Sequence, residues 1–129
     1  MKTARILSVA LLLLIPSVGI PQSRTATGAA NRSWQSFWRQ FSTAVNKKDR
    51  AALRRMMSSD FYSGGGEATA AEWIRYMDEH KLWRQHQQSV ALGTKPYKME
   101  GNPGRVTRND HLIFEFKGGR WRWWGIMGA

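Results

Sequence analysis

The segment Leu112-Ile113-Phe114-Glu115-Phe116-Lys117-Gly118-Gly119-Arg120-Trp121-Arg122-Trp123-Trp124-Gly125-Ile126 decides the fold. Leu112, Phe114 and Phe116 alternate with Ile113, Glu115 and Lys117, and Gly118-Gly119 supplies a two-residue turn. Trp121, Trp123 and Gly125 then alternate with Arg120, Arg122, Trp124 and Ile126, which completes the pattern of a β-hairpin. Folding the chain about that turn opposes Phe116 to Trp121, Phe114 to Trp123 and Leu112 to Gly125 on one face. On the other face Glu115 meets Arg122, Ile113 meets Trp124 and His111 meets Ile126. The aromatic ladder marks the core side, with each cross-strand pair worth about 0.2–1 kcal/mol. Ile113, Trp124 and Ile126 are left together on the outer side, and an apolar patch of that kind predicts an interface, here a homodimer formed through the sheet.

Upstream of the hairpin, residues 93–109 hold Pro96, Pro103 and several glycines, which predicts a turn-rich connection with one irregular edge strand around Tyr97 to Met99. Residues 84–92 show His86, Gln88, Val90 and Leu92 at alternate positions and predict an extended strand. Thr69-Ala70-Ala71-Glu72 is a capping box that opens a helix running to about Lys81, with Trp73, Ile74 and Met77 on its apolar side. Gly64-Gly65-Gly66 predicts a loop and Phe61-Tyr62 a short strand before it; the loop lacks the Lys-Ser/Thr that a phosphate-cradling turn requires. Asp49 caps a short helix carrying Leu53, Met56 and Met57, ended by Ser58-Ser59-Asp60. Farther back, Trp34, Phe37, Trp38, Phe41 and Val45 share one helical face, with Ser33 as its expected N-cap.

The beginning of the chain reads differently. Lys2 and Arg5 precede an apolar run from Ile6 to Ile15 broken only by Ser8, and Pro16 closes it. That is the layout of a secretory signal, and the run is too short for a membrane span of about 20 residues. Ser17-Val18-Gly19 offers the first cleavage site and Ala26-Thr27-Gly28 a second; with cleavage after Gly19, residues 1–19 are expected to be a signal peptide, 20–32 a disordered leader of small residues, and 33–129 the domain. A secreted or periplasmic location follows, with no transmembrane anchor once the signal is gone.

The chain has 129 residues, enough for one small domain. There is no cysteine, which excludes disulfides, thiolate metal sites and a cysteine nucleophile. Lys and Arg number 20 against 9 Asp and Glu, a net charge of +11, so any partner chosen by charge is anionic. Binding to polyanions or to anionic envelope surfaces is expected to be weak and salt-sensitive. Arg120-Trp121-Arg122-Trp123-Trp124 resembles a base-stacking or membrane-active motif only when read linearly. Strand alternation turns its Trp121 and Trp123 inward, and no specific nucleic acid is expected.

Helices followed by a curved sheet, together with Phe37-Trp38-Arg39-Gln40-Phe41, Val45-Asn46-Lys47-Lys48-Asp49, Leu53, Asp60-Phe61-Tyr62 and Phe116-Lys117-Gly118-Gly119-Arg120-Trp121-Arg122, resemble the nuclear transport factor 2-like superfamily. The resemblance implies an α+β domain: N-terminal helices packed into a curved antiparallel sheet, a cone-like half barrel ending in a β-hairpin. It also implies a pocket inside the cone and, in many members, a dimer through the sheet; ketosteroid isomerase and related dehydratases place acidic and histidine residues in that cone.

Asp60, Tyr62 and His86 are the polar residues near the expected interior positions and are the candidate ligand-binding residues. An imidazole at His86 could transfer protons with Asp60, but no motif fixes such a pair. The expected role is therefore a non-catalytic binding or accessory module for a small hydrophobic ligand. One alternative is an isomerase-like or dehydratase-like enzyme, favoured if Asp60 and His86 converge in an open cone; another is a basic protein that binds anionic envelope surfaces. A cone filled by Trp38, Trp73 and Trp123 would move binding elsewhere. No cofactor is expected, and the three histidines lack the spacing of a metal site. Cleavage after Gly19 predicts a mature protein that begins at Ile20 and lacks Lys2 and Arg5; intact-mass measurement of the exported protein checks it, and a retained Met1 in the membrane fraction contradicts it.

Overall fold

A computed structural model describes residues 22–65 and 68–128. The expected signal peptide lies outside the described residues. The elements are α1 (Gln22–Lys47), α2 (Arg50–Met56), β1 (Met57–Tyr62), α3 (Ala70–Glu79), α4 (Trp83–Ala91), β2 (Thr94–Met99), β3 (Asn102–Thr107), β4 (Leu112–Lys117) and β5 (Arg120–Ile126). The class is α+β, with an open five-stranded sheet in the order β1-β5-β4-β3-β2, consistent with a half barrel. The sheet is mixed rather than wholly antiparallel, because β1 pairs with β5 in parallel.

The hairpin face packs on α1 as its pattern requires. Phe41 meets Phe114 at 4.8 Å and Trp123 at 5.4 Å between ring centroids, both edge-on, and Trp34 meets Trp121 at 4.6 Å. Edge-to-face pairs of this kind contribute about 0.5–1.5 kcal/mol each beyond the area they bury. The expected leader is corrected here: residues 22–32 form the first turns of α1, and Ser33 is not a cap but bonds back to the Ala29 carbonyl at 2.8 Å. Small residues carry no apolar period, so nothing in the sequence marks these turns. Packing does: Ala30 is buried, and its carbonyl accepts from Trp121 Nε1 at 2.8 Å.

Residues 84–92 are the second correction. They belong to helix α4 and its cap rather than to a strand, with Trp83, His86, Ser89 and Val90 buried along one side. Two of those four are polar, which hid the helical period, while the alternation through Leu92 was incidental: Leu92 is half exposed. Gly93, at φ +74°, follows the helix end as a left-handed residue and donates to the Val90 carbonyl at 3.1 Å. The connection 93–109 holds two strands where one was expected, joined by a tight turn at Glu100-Gly101. Pro96 is tolerated because β2 is an edge, and Pro103 because the pairing of β3 with β4 begins only at Gly104.

The hairpin register holds from Lys117↔Arg120 to Phe114↔Trp123 and then shifts by one residue, so that Ile113 opposes Gly125 and Leu112 opposes Ile126. This bulge at Trp124 undoes the expected outer patch. Ile126 turns inward and joins the core, at 1% exposure. Ile113 is also buried, opposite Val106 of β3, and the Tyr97 hydroxyl reaches the Met127 sulfur at 3.9 Å. Trp124 alone of the three stays partly exposed, stacked on Tyr62 at 5.4 Å. Gly125 is required where β1 comes alongside, since a Cβ there would stand 2.5 Å from the Tyr62 carbonyl oxygen.

Helices α2, α3 and α4 are tied by one charged contact. Arg50 Nε donates to Asp78 Oδ2 at 2.8 Å, Trp83 Nε1 donates to Asp78 Oδ1 at 2.8 Å, and the Arg50 guanidinium lies 5.4 Å from the Trp83 ring centroid. The hydrogen bonds from Arg50 and then Trp83 lower the Asp78 carboxyl to about 2. Among the described residues no helix is long and apolar enough to cross a membrane.

The adjacent tryptophans of β5 should separate in a urea denaturation series. Trp123→Ala is expected to cost about 3–5 kcal/mol, as for a fully buried ring, and Trp124→Ala about 1 kcal/mol, as for one stacked pair. Equal losses would contradict the register.

Candidate functional site

Where α3 and α4 approach the ends of β1, β4 and β5, they leave a cavity of about 550 Å³ lined by Ser63, Ala68, Glu72, Trp73, Tyr76, Leu82, Gln85, His111 and Ile126. The capping box delivers its helical wall: Thr69 accepts from the Glu72 amide at 3.3 Å, which starts α3 so that Trp73 and Tyr76 stand one turn apart, stacked at 5.2 Å. The bulge at Trp124 delivers its floor by turning Ile126 inward. The size lies within the range of small-molecule sites, and the mixture of apolar walls with a few polar groups is their usual composition.

A polar network supports the strand side. Thr107 Oγ1 donates to Asn109 Oδ1 at 2.7 Å and accepts from the amides of His111 and Leu112 at 3.2 and 3.0 Å. Asn109 Nδ2 in turn donates to Ser89 Oγ at 2.9 Å. Ser89 has one hydroxyl proton; directed at the Gln85 carbonyl, 3.1 Å away, it leaves Ser89 Oγ to accept from His111 Nδ1 at 2.7 Å. That sets the His111 tautomer and leaves Nε2 with the lone pair.

His86 lies behind the cavity wall, fully buried, with its ring centroid 4.9 Å from His111, 5.7 Å from Trp123 and 6.0 Å from Trp73. Its Nδ1 is 2.9 Å from the Leu82 carbonyl, which can only accept, so Nδ1 carries the proton and Nε2 is an acceptor. That Nε2 has no partner among the described residues, and neither does the buried Trp73 Nε1, a donor. Burial first, and then the neighbouring His111, lowers the His86 pKa to about 4; burial lowers that of His111 as well. Both imidazoles are therefore neutral at pH 7.

The three expected site residues do not meet. Only His86 is at this end of the molecule. Asp60 is exposed and lines a separate outer hollow with Glu115, Lys117 and Arg122, while Tyr62 stacks on Trp124 on the same outer side. Trp123 fills the centre of the core at 0% exposure, and Trp73 is a wall of the cavity rather than a plug. His111, Trp73 and Tyr76 are the residues that sequence reasoning missed as a site. The spacing of Trp83, His86 and Ser89 was a signal that His86 lies on a buried helical face, and no comparable spacing marks His111. Among the described residues no three His, Asp or Glu side chains gather as metal ligands. Comparison with family models, with curated proteins and with solved structures finds no match.

The buried imidazole makes stability depend on pH. His86 titrates near 6.5 when unfolded and near 4 when folded, so between those values the unfolded chain binds the extra proton. The His86 contribution should be flat above about pH 6.5, fall by about 3 kcal/mol as the pH drops to about 4, and level off below it. His86→Phe should remove most of that slope, with His111 supplying the remainder, as read from urea midpoints at pH 7 and 4.5.

Proposed function

We propose that this is an exported, nuclear transport factor 2-like binding module whose cavity receives a small, largely apolar molecule carrying one hydroxyl or carbonyl group. The observation that carries the reading is the pairing of an apolar cavity with two unpartnered buried polar atoms behind its lining, the donor Nε1 of the wall residue Trp73 and the acceptor Nε2 of His86. A buried polar atom without a partner costs about 1–3 kcal/mol, and a ligand oxygen that reached it would recover part of that loss. The helix-then-hairpin order and the open sheet support the family reading, and the charged start followed by an apolar run supports export.

The pair of histidines 4.9 Å apart favours a second reading, an isomerase-like or dehydratase-like enzyme. Against it stand the low pKa of His86, which makes it a weak base at pH 7, and the position of Asp60 on the outer side of the sheet.

Titration with naphthalene and with 2-naphthol, followed by tryptophan emission, tests the binding reading. The two share a ring system and differ by one hydroxyl, so 2-naphthol should bind up to about tenfold more tightly. Trp73→Phe should abolish that difference while leaving naphthalene binding within about twofold. Absence of binding by both compounds, or an equal loss of both in the variant, would overturn the proposal.

A further inference from the structure

Beside the hairpin turn, a second hollow of about 600 Å³ runs between α1 and α2. Arg39, Thr43 and Lys47 line it from α1 at successive turns, Arg55 from α2, and Arg120 from the hairpin turn. None of these four cations makes an ion pair among the described residues, where the bridges are Arg50–Asp78 and Lys95–Asp110. One acid is present, Asp49, and its carboxylate is engaged in accepting from the Ala52 amide at 3.1 Å. Four cations against the one Asp49 carboxylate, held by two helices and a turn, leave the hollow with an excess of positive charge, and an anion is the natural partner for such a surface.

The arrangement is elongated. Arg39 and Lys47 are about 12 Å apart along the helix axis at 1.5 Å per residue, so the charges do not converge on a point as they would for a single phosphate. The hollow continues past Gln40, Met56 and Arg120 into a smaller one of about 260 Å³ that reaches Ser33 and Ser36. No aromatic ring lines the basic hollow itself; Phe37 and Trp121 border its smaller continuation, but both are packed into the aromatic core against Trp34, so neither offers an open face for a nucleobase to stack on. The large exposed apolar residues Tyr62, Tyr76 and Leu92 lie outside it, so it carries no anchor for a lipid surface.

We infer that the groove between α1 and α2 binds a flexible linear chain of phosphates, gripped through its charged backbone by Arg39, Lys47, Arg55 and Arg120. This site is separate from the cavity under α3 and α4 and does not depend on the ligand proposed for it.

The test is a binding titration of the wild-type protein with inorganic polyphosphate and with an oligothymidylate of equal phosphate number, repeated across a salt series. Two variants of equal net charge are compared: R39A/K47A/R55A in the groove and R75A/R84A/K98A on exposed positions elsewhere. The groove variant should lose at least about tenfold in affinity and lower the salt slope by about 2, at about 0.7 per lost contact. The control should change affinity less than about threefold. Polyphosphate should also protect Lys47 of the wild-type protein from amine acetylation, a readout that stands even if a variant folds poorly. Equal losses in both variants would overturn the proposal in favour of a diffuse field. Binding of oligothymidylate without polyphosphate would overturn it in favour of base recognition, and preference for anionic phosphatidylglycerol vesicles over both would overturn it in favour of a membrane surface.

Discussion

Phe41 sits edge-on to Phe114 and to Trp123, and the positions of the remaining elements follow from that contact. It fixes α1 across the two strands of the hairpin, so Trp34 falls against Trp121 and Val45 against the far end of the core. With the middle of the sheet covered by α1, the remaining apolar surface lies near β1 and the ends of β4 and β5, and the short helices α3 and α4 pack there. They are too short to cover it completely. The cavity is the volume they leave, and its polar residues are those whose helix or strand position faces it rather than a cluster signalled in the sequence.

Legibility in the sequence followed the chemistry of each segment. The hairpin as far as Phe114 and Trp123, α2 and α3 were readable because alternation, an Asp49 cap and a capping box are local signals that the fold did not override there. The first turns of α1 were not, since Ala and Ser have no sidedness and the turns are held by a bond from Trp121 ninety-one positions away. Helix α4 was misread because its buried side includes His86 and Ser89, whose burial is offset by bonds to backbone carbonyls at Leu82 and Gln85. The site fared as its elements did. His86 is interior as expected, but on a helix rather than a strand; Asp60 and Tyr62 were placed inside when the strand that carries them turns them outward; and Ile126 crossed from one face to the other through a bulge that no pairing rule based on a regular ladder can foresee.

The two sides of the molecule have opposite electrostatic character. Under α3 and α4, polar atoms are sheltered from water and the histidines are held neutral. Along α1 and α2 the charges face solvent, where water and salt screen them. The first environment favours a compact molecule that displaces water and completes hydrogen bonds; the second favours a long, multiply charged one that displaces counterions. Because α1 forms one wall of the groove and its other side forms the core, the groove keeps its shape as long as the core does.

The position of β5 has a consequence for how the chain acquires this structure. It is the last strand in chain order, yet it lies between β1 and β4 and brings Trp121 and Trp123 to the centre of the core. During synthesis every earlier element leaves the ribosome before the strand that joins β1 to the rest of the sheet. Until Ile126 has emerged, β1 lacks its neighbour and Phe41 its contact with Trp123, so the part of the chain made before β5 stays open. A chaperone or a translocation channel that takes only unfolded polypeptide therefore meets a substrate that has not yet closed.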